Sequence, residues 1–346
     1  MVGLVQLTAW HWIGFIVLVL ALLALDLGLF HRRAHVVRYR EALMWTGVWL
    51  CLALGFALAL RPMRGQKESL EFLTGYLIEL SLSLDNVFVI ALIFSYFQIP
   101  ANHQHRVLFW GILGALVMRG FMIGVGAALI ATIHWVLYLL GLLILYSGIK
   151  MLFVKTEVEP EKNRVIRWVR KLYPVTPHLD GQKLFTQWNG KRALTPLALV
   201  LVMIETSDLV FALDSIPAIF AVTTKPFIVF TSNMFAILGL RSLYFVLAGA
   251  IGYFRYLKYG LSLVLVFIGV KMILDPHEGV PPLPFQIEIP ISTSLIVVGS
   301  ILLASMVASV VAAQREKKRA SSPKPEGGGP KEGRNPKRED QKKSED

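Results

Sequence analysis

YLLGLLILYSGIKMLF, residues 138–153, returns at 259–274 as YGLSLVLVFIGVKMIL. Six of the sixteen positions are identical without a gap, among them Gly148/Gly269, Lys150/Lys271 and Met151/Met272. Before each stretch stands an apolar segment with one arginine: Arg119 in GALVMRG and Arg241 in AILGLRS, 31 and 30 residues ahead of the lysines. Earlier still, LSLSLDNVFVIALIF (80–94) matches LVFALDSIPAIF (209–220) and aligns Asp85 with Asp214. Six residues before each of these is another acid, Glu79 in one and Asp208 in the other. Apolar helices resemble one another by composition, so one match is weak. Three in the same order, with charges in register, make an internal repeat.

The rest of the chain fits a bilayer. It has 346 residues, 55% hydrophobic and 17% charged, and its mean hydropathy is +0.59. Disordered chains, coiled coils and ordinary soluble domains are more polar. The single cysteine excludes a disulfide framework and a thiolate metal site. Apolar blocks of about 20 residues or more match the length of a membrane-crossing helix. They predict an all-α, polytopic fold with nine spans, roughly 8–30, 42–60, 69–97, 105–127, 132–153, 194–222, 227–251, 259–274 and 289–313. Repeat one then covers about 69–153 and repeat two about 194–274, joined by a loop at 154–193. Spans 1, 2 and 9 stand outside the repeat, and 1–313 forms one transmembrane domain. Each repeat has three spans, so the second must be inverted relative to the first. Inverted repeats are common among secondary transporters, with the site near the midplane between the halves.

The formal charge is +12, but position argues against nucleic acid as the partner. With the N-terminus outside, 27 of the 35 Lys and Arg fall on the inner side and four on the outer, the remainder lying within spans. That distribution is a topology signal. Arg32 and Arg33 follow the first apolar block, the reverse of a secretory signal, so the block reads as a retained helix. Residues 314–346 are basic and almost free of apolar residues. They are expected to be a disordered cytoplasmic tail, able to touch anionic lipid. In the loop, NRVIRWVRKLYP (163–174) predicts a short amphipathic surface helix. His178 and Asp180 there read as a solvated turn more readily than as a metal entry point.

Six acids fall within spans: Asp26, Glu79, Asp85, Glu205, Asp208 and Asp214. An Asp at a span centre costs about 2.5–3.5 kcal/mol on insertion scales, so these groups must face one another, a counter-ion or water. Arg119 and Arg241 read as structural counter-ions, and Lys150 and Lys271 lie near span ends. An excess of negative charge remains, which persists only by binding cations or protons. Glu79 and Asp85 point about 120° apart on a straight helix, while Asn86 shares the face of Glu79 and Ser215 that of Asp208. Both acidic spans are therefore expected to be broken where their acids meet. Ser81, Ser83, Thr206, Ser207 and Pro217 mark the weak points. Ser83, Ser215 and Asp26 are candidates for the path or a gate, Asp26 equally for a pair with Arg32 or Arg33. Glu71 reads as interfacial and Cys51 as a core thiol. The donors are all hard oxygen, suiting Mn²⁺, Ca²⁺ or Mg²⁺ over Zn²⁺ or Cu²⁺. Clustered carboxylates also bind protons, which a dication would displace.

LDLGLFHRRAHVV (25–37), FLTGYLIELSLSLDNVFVIALIF (72–94), GQKLF (181–185) with LTPL (194–197), and IETSDLVFALDSIPAIFAVT (204–223) resemble the TerC family, within the LysE-like group of transporters. The resemblance covers roughly 10–313. It implies a bacterial inner-membrane exporter of Mn²⁺, with Glu79, Asp85, Asn86, Glu205, Asp208 and Asp214 along the metal path. The expectation is a Mn²⁺ exporter, exchanging the ion for protons, with no catalytic residues and no organic cofactor. A Ca²⁺/H⁺ exchanger, a non-transporting metal sensor and an intramembrane aspartyl protease are the alternatives. The chain has no Gly-Asp dipeptide, which weighs against the protease.

Overall fold

The computed structural model describes residues 8–28, 39–153, 164–188, 190–248, 257–276 and 286–321. Long apolar stretches form α1 (Ala9–Gly28), α2 (Tyr39–Arg64), α3 (Gln66–Tyr96), α4 (Ala101–Thr132), α5 (Val136–Phe153), α7 (Pro196–Phe220), α8 (Pro226–Ala248), α9 (Leu257–Leu274) and α10 (Ile291–Ser321). Eight of these are long and apolar enough to cross a membrane, and α1 is apolar over Ala9–Leu25. The all-α, polytopic membrane fold is thus observed. Helix α10 continues past residue 313, so the tail expected from 314 begins as helix; residues 322–346 lie outside the described residues.

Between α5 and α7 the chain forms α6 (Arg164–Leu172), the expected amphipathic helix, and a hairpin of β1 (Phe185–Trp188) and β2 (Lys191–Leu194). The hairpin was not expected. Its signal is the Asn189-Gly190 dipeptide in the sequence, and Gly190 takes φ 75°, a left-handed conformation that suits glycine. Asp180 is tied to the hairpin rather than left as a free turn. It accepts hydrogen bonds from Thr186 Oγ1 at 2.7 Å and Lys183 Nζ at 3.3 Å, which hold its carboxyl below the usual range.

Helices α3–α5 pack against helices α7–α9. The most extensive packing joins α3 to α8, α4 to α7 and α5 to α9. The α5–α9 crossing depends on the repeated glycines. A Cβ on Gly148 would meet the backbone of Val266 at 2.9 Å, and one on Gly269 the backbone of Leu145 at 2.7 Å. Gly141 lies against Met272 and Ile273 in the same way, so the two helices run antiparallel. The acidic helices do likewise. Glu71 meets Thr223, Gly75 meets Ile219 and Asn86 meets Asp208, numbers rising in α3 as they fall in α7.

Neither acidic helix is broken, which corrects the expectation from sequence. Helix α3 is continuous over 31 residues and α7 over 25. Several of the polar residues read as weak points return their hydroxyls to the carbonyl one turn back: Ser81 to Leu77, Thr206 to Val202 and Ser207 to Met203. Pro217 sits in the last turn of α7. The backbone stays helical, and the two acids of each span face different neighbours.

Candidate functional site

The site is built from the facing sides of α3 and α7 with one long side chain from α4. Glu79, Ser83 and Asn86 recur at i, i+4 and i+7 and form one stripe of α3, all buried. Asp208 and Ser215, also seven apart and buried, form the matching stripe of α7. Arg119, 1% exposed, reaches between them. Its Nη2 donates to Asp208 Oδ1 at 2.6 Å and its Nε to Oδ2 at 3.1 Å, a bidentate pair. Its Nη1 donates to Glu79 Oε1 in a short contact. Asn86 Nδ2 donates to Asp208 Oδ1 at 3.3 Å. One cation thus bridges an acid of α3 and an acid of α7.

The oxygens left over define the chemistry. Glu79 Oε2, Ser83 Oγ, Asn86 Oδ1 and Ser215 Oγ are buried and find no hydrogen-bond partner among the described residues. The register of α3 against α7 places Ser215 level with Glu79. Orphaned buried polar atoms cost free energy and call for a water or an ion. A small cavity of about 20 Å³ opens beside Asn86, Ser207, Asp208 and Arg241, walled by Ile90 and Ile204. That is room for about one water molecule or a bare ion. Arg241, the repeat partner of Arg119, lines this cavity and is buried.

The other predicted residues are placed elsewhere. Asp214 turns toward α5, where Ser147 Oγ donates to its Oδ1 at 2.6 Å and Lys150 contributes positive charge. Asp85 is under the influence of Lys258 at the start of α9. Glu205 lies one turn before Asp208, repelled by it, and its carboxylate fills the space left by Gly114 of α4. Among the described residues no three His, Cys, Asp or Glu side chains converge as a metal cage. The side chain of Asp26 lies outside the described residues.

Sequence reasoning placed Glu71 at the interface, but it is 3% exposed. Thr223 Oγ1 donates to its Oε2 at 2.9 Å, and Lys225 Nζ lies 3.3 Å from it and 3.1 Å from Glu68. Arg64 completes the cluster by donating to Glu68 through Nε at 2.8 Å. This ionic clamp joins the first turns of α3 to the α7–α8 connection. The partners are over 150 residues away, which no local pattern reveals. Lys271, near a span end, is buried and pairs with Asp275 at 3.5 Å. Cys51, expected in the core, is exposed on α2.

The model of the TerC integral membrane protein family matches residues 64–318. This chain belongs to the TerC family. Among relatives, STKORF319, an uncharacterized membrane protein of Myxococcus xanthus, is 52% identical over 301 residues, covering 87% of this chain and 92% of that one. The Alx proteins of Escherichia coli K12 and Photorhabdus laumondii are each 46% identical, over 306 and 309 residues, covering 86% of this chain and 92% and 94% of theirs. Alx bears the provisional name of a membrane-bound redox modulator. No solved structure matches the chain. In this TerC protein the bridged acid pair and the four unpartnered oxygens of α3 and α7 fall inside the matched region. Its sequence holds one cysteine, so no intrachain disulfide can form.

Proposed function

We propose that the protein is a secondary transporter that exports Mn²⁺ across the bacterial inner membrane in exchange for protons. The single observation behind this reading is the group of unpartnered buried oxygens on the facing stripes of α3 and α7, beside an acid pair bridged by one arginine. A carboxylate, an amide oxygen and two hydroxyls are the donors a hard dication takes. Arg119 acts as the resident counter-ion of the empty carrier, and the arriving ion takes over the charge that the arginine had balanced. Asp85 and Asp214, on faces turned to α9 and α5, serve as way-stations to either side. Carboxylates that lose their cation in a low-dielectric setting take up protons instead, which couples the two fluxes. The antiparallel course of α3 against α7, and of α5 against α9, supports two inverted units rocking about the site.

The test is flux in proteoliposomes with an imposed pH gradient. An acid-inside gradient should drive Mn²⁺ inward, and a protonophore should stop it. Ca²⁺ and Mg²⁺ in competition rank the substrates, with Ca²⁺ displacing Mn²⁺ at equal concentration if the exchanger is a calcium carrier. Binding of Mn²⁺ without any gradient-driven flux would instead identify a sensor.

A further inference from the structure

Helix α6 carries an apolar arc and a basic arc. On a 100° wheel Trp168, Leu172, Val165, Val169 and Ile166 follow one another, with Arg167, Arg170 and Lys171 opposite. The apolar arc is divided between two environments. Ile166 is 2% exposed and belongs to an apolar cluster with Phe94 of α3, Leu197 and Val200 of α7, and Leu247 of α8. Trp168 is 64% exposed and Leu172 53%. Phe94, Leu197 and Leu247 lie in the terminal turns of three membrane-spanning helices. Helix α6 is therefore fixed at the level where the spans leave the hydrocarbon, with an exposed indole and leucine beside three cations.

We propose that α6 lies in the headgroup layer of an anionic leaflet, with Trp168 and Leu172 at the acyl boundary and Arg167, Arg170 and Lys171 on lipid phosphates. An amphipathic helix with an aromatic on one face and basic residues on the other binds in this way, and indole rings favour that depth. Ile166 fastens the helix to α7, so the lipid surface is linked mechanically to the helix bearing Asp208. A second copy of the chain is the rival occupant of the exposed stripe. Such an occupant would bury the indole but would have no need of the three cations.

The lone cysteine makes the test direct. In a Cys51→Ser background, the full chain carries an environment-sensitive fluorophore at Trp168→Cys or, separately, at Leu172→Cys. Each is reconstituted in nanodiscs of neutral or partly anionic lipid. In anionic discs, brominated lipid should quench the label and aqueous acrylamide should not. Arg167→Glu with Lys171→Glu should weaken lipid occupancy by more than about 25-fold, since each lost cation near an anionic surface contributes about a factor of five and each new carboxylate adds repulsion. A label at both positions that acrylamide reaches and brominated lipid does not would overturn the proposal. So would shielding that survives the charge reversal, or shielding in detergent accompanied by short label–label distances between two copies.

Discussion

Glu79 and Asp208 occupy matching positions in two similar helices, yet the molecule treats them differently. Asp208 receives two bonds from Arg119 and one from Asn86. Glu79 receives one from Arg119 and keeps its second oxygen unpartnered, as do the neighbouring hydroxyls of Ser83 and Ser215. The Asp208 carboxylate is engaged through both oxygens, whereas that of Glu79 keeps one oxygen open. Carboxylates at sequence-matched positions are thus left with unequal hydrogen bonding by one asymmetrically placed arginine. The repeat provides the two acids, and the packing of α4 against α7 decides which of them is spent.

Neutralising each acid in turn tests whether the two differ in function. Glu79→Gln should weaken Mn²⁺ binding, measured by calorimetry, on the order of 100-fold, because it removes a charged ligand from a desolvated site. Asp208→Asn should cost about tenfold in binding but more in stability, since it strips Arg119 of its main partner. Equal losses of binding would show that the asymmetry carries no function. Arg119→Gln should lower stability by about 3–5 kcal/mol, the range for breaking a buried ion pair, and added Mn²⁺ should restore much of the lost thermal stability. Failure of Mn²⁺ to rescue this variant more than the parent would remove the argument that ion and arginine balance the same charge. Ser83→Ala and Ser215→Ala should each weaken binding about three- to tenfold, as expected for a neutral donor. Lys225→Met, in the clamp at the far end of α3, should cost about 1 kcal/mol or less because the lysine is 39% exposed. It should leave Mn²⁺ affinity unchanged.

The residues of the site were legible in the sequence, but their grouping was not. Charges in apolar spans stand out whatever the fold, so Glu79, Asp208 and Arg119 could be named directly. The 120° between Glu79 and Asp85 allowed either a broken helix with both acids in one pocket or an intact helix with the acids on two faces. The helix is intact, and hydroxyls such as those of Ser81 and Thr206 are satisfied by bonding back one turn, a rotamer choice no spacing encodes. Arg119, a counter-ion candidate by its place in an apolar span, pairs with Glu79 and Asp208. That a single arginine serves an acid from each repeat follows from helix packing. Gly148 and Gly269 stand out in the sequence as repeated residues, but that each admits the backbone of the other helix emerges only from the packing of α5 against α9. The buried pairing of Glu71 with Thr223 and Lys225 had no sequence signature.

The resting place of a bound Mn²⁺ decides between these readings. Crystals of the protein grown with Mn²⁺ and measured at the manganese absorption edge should show an anomalous peak between α3 and α7, against Glu79 Oε2 and level with Ser215. A peak confined to the Glu68–Glu71 end, or none between these helices while Arg119 still bridges both acids, would contradict the proposed site.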